Sequence, residues 1–193
     1  MRSGGTQGNL REQLIQAGIR ELGQQGVQRF SVRRIANECG VSCAAPYRHF
    51  ENKSSFISAI FEYINDEWHN IGRRVALEDT DKSTRQTLVD VSMAYIHFLL
   101  DNPHFRSIIM LRMDGIDPKY LSHKGEVSRL SNELISRYCA EVGMSDEDRT
   151  RKTFAVRSLI YGASVMLDNG ELAATAESYD MIARSIDREF DLP

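Results

Sequence analysis

Ser31–Lys53, SVRRIANECGVSCAAPYRHFENK, holds two short capped helical segments joined by a tight turn. Ser31 is an N-cap for Val32–Cys39, where Ile35, Ala36 and Cys39 fall on one side. Gly40 ends that segment, Val41 is a buried turn residue, and Ser42 caps a second helix running through His49. Phe50 follows as a core anchor. So short a glycine turn sets the helices at a steep angle and lets the second protrude. A protruding helix fits the DNA major groove.

The residues of the second segment suit that groove. Cys43, Ala44 and Ala45 are small enough for close backbone approach, and an alanine methyl can meet a thymine methyl. Tyr47 and His49 carry polar tips suited to phosphate or base edges. Ser42 and Lys53 stand at helix starts, where backbone N–H groups favour phosphate. Arg33 and Arg34 add charge on the preceding helix. Pro46 removes the N–H that would bond the Ser42 carbonyl, a small cost in a first turn.

Charge is distributed in the same sense. Residues 1–53 carry eight Lys/Arg against four acids, a local +4 in a chain of net −3. A basic head on an acidic body suits a chain that meets phosphate at one end.

The rest of the chain reads as helices. Four prolines interrupt it, and no window alternates like a strand. A Gly- and Ser-rich segment, 1–9, reads as a flexible arm. Helices are expected at about 10–24, 32–39, 43–49, 52–72, 83–101, 103–113, 126–142, 146–168 and 177–190. These nine helices make an all-α fold, with a DNA-binding domain at 10–53 and a body at 54–193.

The inward Ile35-Ala36, the Gly40-Val41-Ser42 turn, Tyr47-Arg48-His49-Phe50 and Lys53 together resemble the head of the tetracycline-repressor (TetR) family. The resemblance covers about residues 10–60. It implies phosphate contacts from Ser31, Arg33, Tyr47, His49 and Lys53, and base-facing roles for Cys43, Ala44 and Ala45. Arg34, Ser42 and Arg48 complete the expected DNA-binding set. Pro46 stands where many relatives have Leu, so base preference does not transfer.

The resemblance further implies a ligand-responsive repressor that binds a palindromic operator as a homodimer through its last two helices. Phe154, Ser158, Tyr161, Gly162, Val165 and Met166 share a face of the 146–168 helix, and Met181, Ile182, Ser185 and Ile186 stripe the last. A twofold dimer matches two half-sites one helical turn apart, roughly 34–36 Å. For an unknown, largely apolar or aromatic effector, the candidate lining is Trp68, Met93, His97, Phe98, Phe105, Met110, Met113 and Tyr120.

Other classes are weaker. The chain shows no phosphate loop, nucleophile elbow or metal-ligand spacing, so neither enzyme activity nor a cofactor is expected. Three scattered cysteines, Cys39, Cys43 and Cys139, suit a reducing cytoplasm, and no apolar run is long enough for a membrane span. Two alternatives stay open. One is a helical protein-interaction module without DNA binding. The other is thiol-based regulation through Cys43, since a helix N-terminus favours a thiolate.

Overall fold

The computed structural model describes residues 5–79 and 81–191, with side chains from Leu10 onward except those of residues 122 and 124. Among the described residues all regular structure is helical. Eight α-helices are present: α1 (Gly5–Arg29), α2 (Val32–Glu38), α3 (Lys53–Leu77), α4 (Thr84–Asp101), α5 (Pro103–Met110), α6 (Arg129–Glu141), α7 (Asp146–Asp168) and α8 (Ala176–Arg188). Three 3-10 segments, Pro46–Arg48, Pro118–Tyr120 and Ser122–Ser128, complete the described elements.

The expected count of nine helices is therefore one too high. The missing member is the segment after Ser42, which closes only a 3-10 turn. Pro46 has no N–H for the Ser42 carbonyl, so the i→i−4 ladder never starts there. Shorter bonds replace it: Ala45 N–H donates to Ser42 O at 2.9 Å, Arg48 N–H to Ala45 O at 3.1 Å and His49 N–H to Pro46 O at 2.9 Å. Of the expected arm, residues 1–4 lie outside the described residues, while Gly5–Asn9 continue α1. Gly26 (φ 69°) breaks α1, and the short stretch to Arg29 turns toward the next helix.

The chain forms two compact units. The first comprises residues through Asp66 together with Pro103–Glu126. Its core gathers Leu14, Ala17, Leu22, Ile35, Ala36, Phe56, Ile57 and Ile60, all fully buried. The Phe50 and Phe56 rings stack at 4.0 Å, and Phe30 meets Phe56 edge-on at 5.4 Å.

The second unit comprises Glu67–Asn102 and Val127–Pro193. Ser83 opens α4 with a capping box shared with Gln86, and Ser145 and Thr175 cap α7 and α8. Inside, Trp68 lies 4.6 Å from Tyr95 and 5.6 Å from Phe98, ring centre to ring centre. The C-terminal end of α8 is held by three other helices of the unit. Arg85 of α4 bridges Asp187 at 2.6 and 2.7 Å, Tyr138 of α6 donates to Phe190 O at 2.5 Å, and buried Lys152 of α7 donates to the carbonyls of Glu189 and Asp191. Cations there satisfy carbonyls that the helix leaves unpaired.

Candidate nucleic-acid interface

The turn between α2 and the 3-10 segment is fixed by local hydrogen bonds. Gly40, at φ 67°, donates to Asn37 O at 3.1 Å, and Val41 donates to Ala36 O at 3.0 Å. This double closure requires a left-handed residue, which glycine adopts without strain. Ser31 caps the other end of α2, its Oγ accepting the Arg34 N–H at 3.3 Å. Pro46 and Phe50 are buried, so both ends of the 3-10 segment are anchored in the core.

That anchoring leaves Ser42, Cys43, Ala44, Tyr47 and Arg48 at the surface, with Ala45 and His49 half-buried. Tyr47 is 56% exposed, a large aromatic ring left in water beside the turn. Arg33 is exposed on α2, its charge directed outward. At the start of α3, Lys53 rests its Nζ 3.5 Å from Gln28 O. Asn52 Oδ1 accepts the Ser55 N–H at 2.9 Å, and Ser55 Oγ accepts the Asn52 N–H at 2.9 Å.

Two sequence expectations change here. Arg34 is not a free cation. Its guanidinium grips the Glu21 carboxylate, with Nε 3.0 and 3.2 Å from the two oxygens, and also donates to Arg29 O at 2.5 Å. Glu21 Oε1 further accepts the Ser31 N–H at 3.0 Å. Arg34 therefore holds α1 to α2 instead of waiting for phosphate. Cys43, in turn, does not open a helix: it lies in the turn ahead of Pro46–Arg48, so the helix-end argument for its reactivity has no helix behind it.

Tyr120, expected in the effector lining, belongs to this face instead. Its hydroxyl donates to Glu51 at 2.8 Å and accepts from Asn52 Nδ2 at 3.2 Å. Asn65 Nδ2 donates to His123 O at 2.8 Å and Gln28 Nε2 to Asp114 O at 2.8 Å, so the segment after α5 straps the head at three points. Sequence spacing gives no warning of such contacts.

The other expected lining residues separate. Trp68 and Phe98 meet in the second unit, with Met93 half-buried nearby on α4. His97 is exposed, its ring 4.8 Å from Tyr179, because Tyr95, Ile96, Phe98 and Leu99 take the inward positions of α4. Phe105 lies 6.4 Å from Tyr63 in the first unit, where Met113 is buried and Met110 exposed. Two buried polar atoms of the aromatic cluster, Trp68 Nε1 and Tyr95 Oη, have no hydrogen-bond partner. Burial pushes the Tyr95 hydroxyl well above its ordinary pKa, and neighbouring Tyr161 adds to the rise.

The expected pairing residues also divide. Ile182 and Ile186 point into their own unit, and Tyr161 is half-buried, 6.5 Å from Tyr95. Ser185 is half-buried. Phe154 (73% exposed), Ser158, Gly162, Val165, Met166 and Met181 lie outward.

A short capped helix, a glycine-closed turn and an exposed small-residue segment define the first unit as a helix-turn-helix DNA-binding head. Residues 14–60 match the family model described as bacterial regulatory proteins, tetR family. The nucleoid occlusion factor SlmA of Vibrio vulnificus is 32% identical over 89% of this chain and 80% of the relative. A tetR-type regulator structure from Shewanella sp. PV-4 superimposes with TM-score 0.76 at 14% identity, covering 92% of this chain and 96% of that one. TetR of Acinetobacter baumannii AYE, a single-site variant in complex with minocycline, gives TM-score 0.57 at 19% identity over 98% and 95% of the two chains. The chain belongs to the tetR family of bacterial regulatory proteins, a DNA-binding transcription regulator.

Proposed function

We propose that this regulator is a repressor that binds a palindromic operator as a homodimer, in the cytoplasm, and leaves it when an apolar or aromatic effector enters the body. The observation that carries the reading is the exposed set Arg33, Ser42, Cys43, Ala44, Tyr47 and Arg48, held on a head whose turn is rigidly closed. Small residues admit close approach to bases, while Tyr47, Arg48 and Arg33 reach phosphate. Ser31, Ala45, His49 and Lys53 complete the contact set.

Pairing is supported by the outward apolar face of α7 and α8. Phe154, Gly162, Met166 and Met181 expose more carbon than a solvated helix pair needs, around a groove of about 480 Å³. A second copy covers such a face symmetrically and sets two heads at half-site spacing. An effector is supported by the unpartnered Trp68 Nε1 and Tyr95 Oη among aromatic rings, a polar pair that a bound acceptor would satisfy. The effector biases the population between DNA-competent and DNA-incompetent states.

Gel shifts on the gene's upstream region test the DNA reading, and loss of the shifted band on Tyr47→Ala supports it. Because Trp68 is the sole tryptophan, its emission reports effector binding directly. A second reading follows from the 32%-identical relative, a nucleoid occlusion factor. Chromatin immunoprecipitation separates the two: repression predicts occupancy near one or a few promoters, nucleoid occlusion predicts sites dispersed along the chromosome.

A further inference from the structure

The second unit has a cleft of about 370 Å³ whose residues take no part in the aromatic cluster or the outward face of α7 and α8. Its apolar wall is Leu77, Leu130 and Leu134, and its charged rim is Arg73, Lys82, Arg137 and Asp79. The pattern is built into the helices. Arg73 and Leu77 are one turn apart on α3, and Leu130, Leu134 and Arg137 recur at helical spacing on α6.

Leu77 is 72% exposed, whereas Leu134 is 3% exposed. A lone exposed leucine needs no explanation. This one lies on the wall of a cleft where two guanidinium groups, Arg73 and Arg137, have no carboxylate partner among the described residues. The other charges are engaged. Lys82 Nζ is 2.7 Å from Asp90, and Asp79 Oδ1 accepts the Asp81 N–H at 3.0 Å. Thr84, also on the lining, directs its hydroxyl to Glu141 at 2.7 Å. The unanswered charge of the cleft is therefore cationic, and it borders hydrocarbon.

We propose that this cleft is a binding site for a small amphipathic carboxylate, distinct from the aromatic effector site. The carboxylate meets the guanidinium groups of Arg73 and Arg137, whose planar N–H pairs match its two oxygens. The hydrocarbon body covers Leu77, Leu130 and Leu134. Inorganic phosphate satisfies the arginines and leaves the leucine wall wet. A neutral alcohol does the reverse. Only a ligand with both parts uses the whole lining.

Isothermal titration calorimetry on the full chain tests the site, with decanoate, decanol and acetate as probes. Decanoate binds, and decanol and acetate each bind about tenfold or more weaker. The Arg73→Gln/Arg137→Gln pair weakens decanoate by about tenfold or more, with an unchanged thermal melt because both side chains are exposed. Leu77→Ser weakens it as well, and Trp68→Phe leaves it unaltered. The proposal is overturned if decanoate does not bind, if decanol binds equally well, or if the arginine pair is neutral. Loss of decanoate binding on Trp68→Phe alone would also overturn it, by moving the ligand to the aromatic cluster. Failure here leaves DNA binding and effector release untouched.

Discussion

Arg34 and Glu21 form the joint between the first two helices of the head. The Glu21 side chain is 10% exposed and that of Arg34 55% exposed, so the acid is the buried partner. Hydrogen bonding from Glu21 raises the Arg34 pKa further above its ordinary value. Removing Arg34 leaves a buried carboxylate without its cation. Arg34→Ala should destabilise the chain by about 2–3 kcal/mol, below the cost for a fully buried pair because Arg34 is half in water. Adding Glu21→Gln should recover part of that loss. Urea melts of the single and double variants measure both.

Arg33 and Arg34 are sequence neighbours with different tasks. Arg33→Ala should lower the salt slope of DNA binding by about one, the mark of one lost phosphate contact. Arg34→Ala should leave the slope unchanged in the folded fraction. Fluorescence anisotropy across a salt series distinguishes them.

The Tyr120 hydroxyl joins Glu51 and Asn52 just ahead of Lys53. Tyr120→Phe keeps the ring and removes two hydrogen bonds, one to a carboxylate. A loss of about 1–2 kcal/mol in stability is expected, with weaker DNA binding from a looser α3 start. A thermal melt and a binding isotherm read the two effects separately.

Acid should loosen the α8 anchor. Hydrogen bonding from Arg85 holds the Asp187 carboxyl below its ordinary pKa. The folded value lies below the unfolded one, so the folded state binds fewer protons in that window. The stabilisation is complete above the unfolded value of about 4 and is lost as pH falls through the folded one. Arg85→Ala should flatten this part of the stability–pH profile and cost about 1–2 kcal/mol near neutrality, after allowing for solvent screening. Chemical denaturation from pH 2 to 7 checks the slope.

Phe154 and Met166 lie on the outward face of α7. Phe154→Glu/Met166→Glu adds like charges across a twofold pairing surface and should yield monomers with an intact helical spectrum. Sedimentation velocity measures the state. Operator affinity should fall with it, since each monomer then binds one half-site alone.

The sequence makes the turn of the head legible because its signals are local. Ser31, Gly40 and Phe50 each act within a few residues of themselves. Pro46 is visible too, but its consequence is larger than a first-turn cost, because it turns the whole segment into a 3-10 turn. Glu21 leaves a usable signal: it falls in register with Ala17, Gly18 and Leu22 on the buried face of α1, where an acid demands a cation. Other features have no local trace. The Tyr120–Glu51 contact spans 69 residues. His97 sits in an apolar run, yet a run alone does not give the phase of a helix, and four neighbours occupy the inner face. Ile182 and Met181 likewise differ by one position and point to opposite environments.

The central claim is that the Ser31–Lys53 head of a paired chain docks on palindromic DNA. Its most direct test is the salt dependence of binding to the gene's own upstream region. Between 50 and 200 mM salt the account predicts a fall in affinity of about a thousandfold, for six or more phosphate contacts per dimer. It also predicts loss of binding on Tyr47→Ala and on Lys53→Ala. Absent binding, binding insensitive to salt, or full affinity in both variants would contradict it.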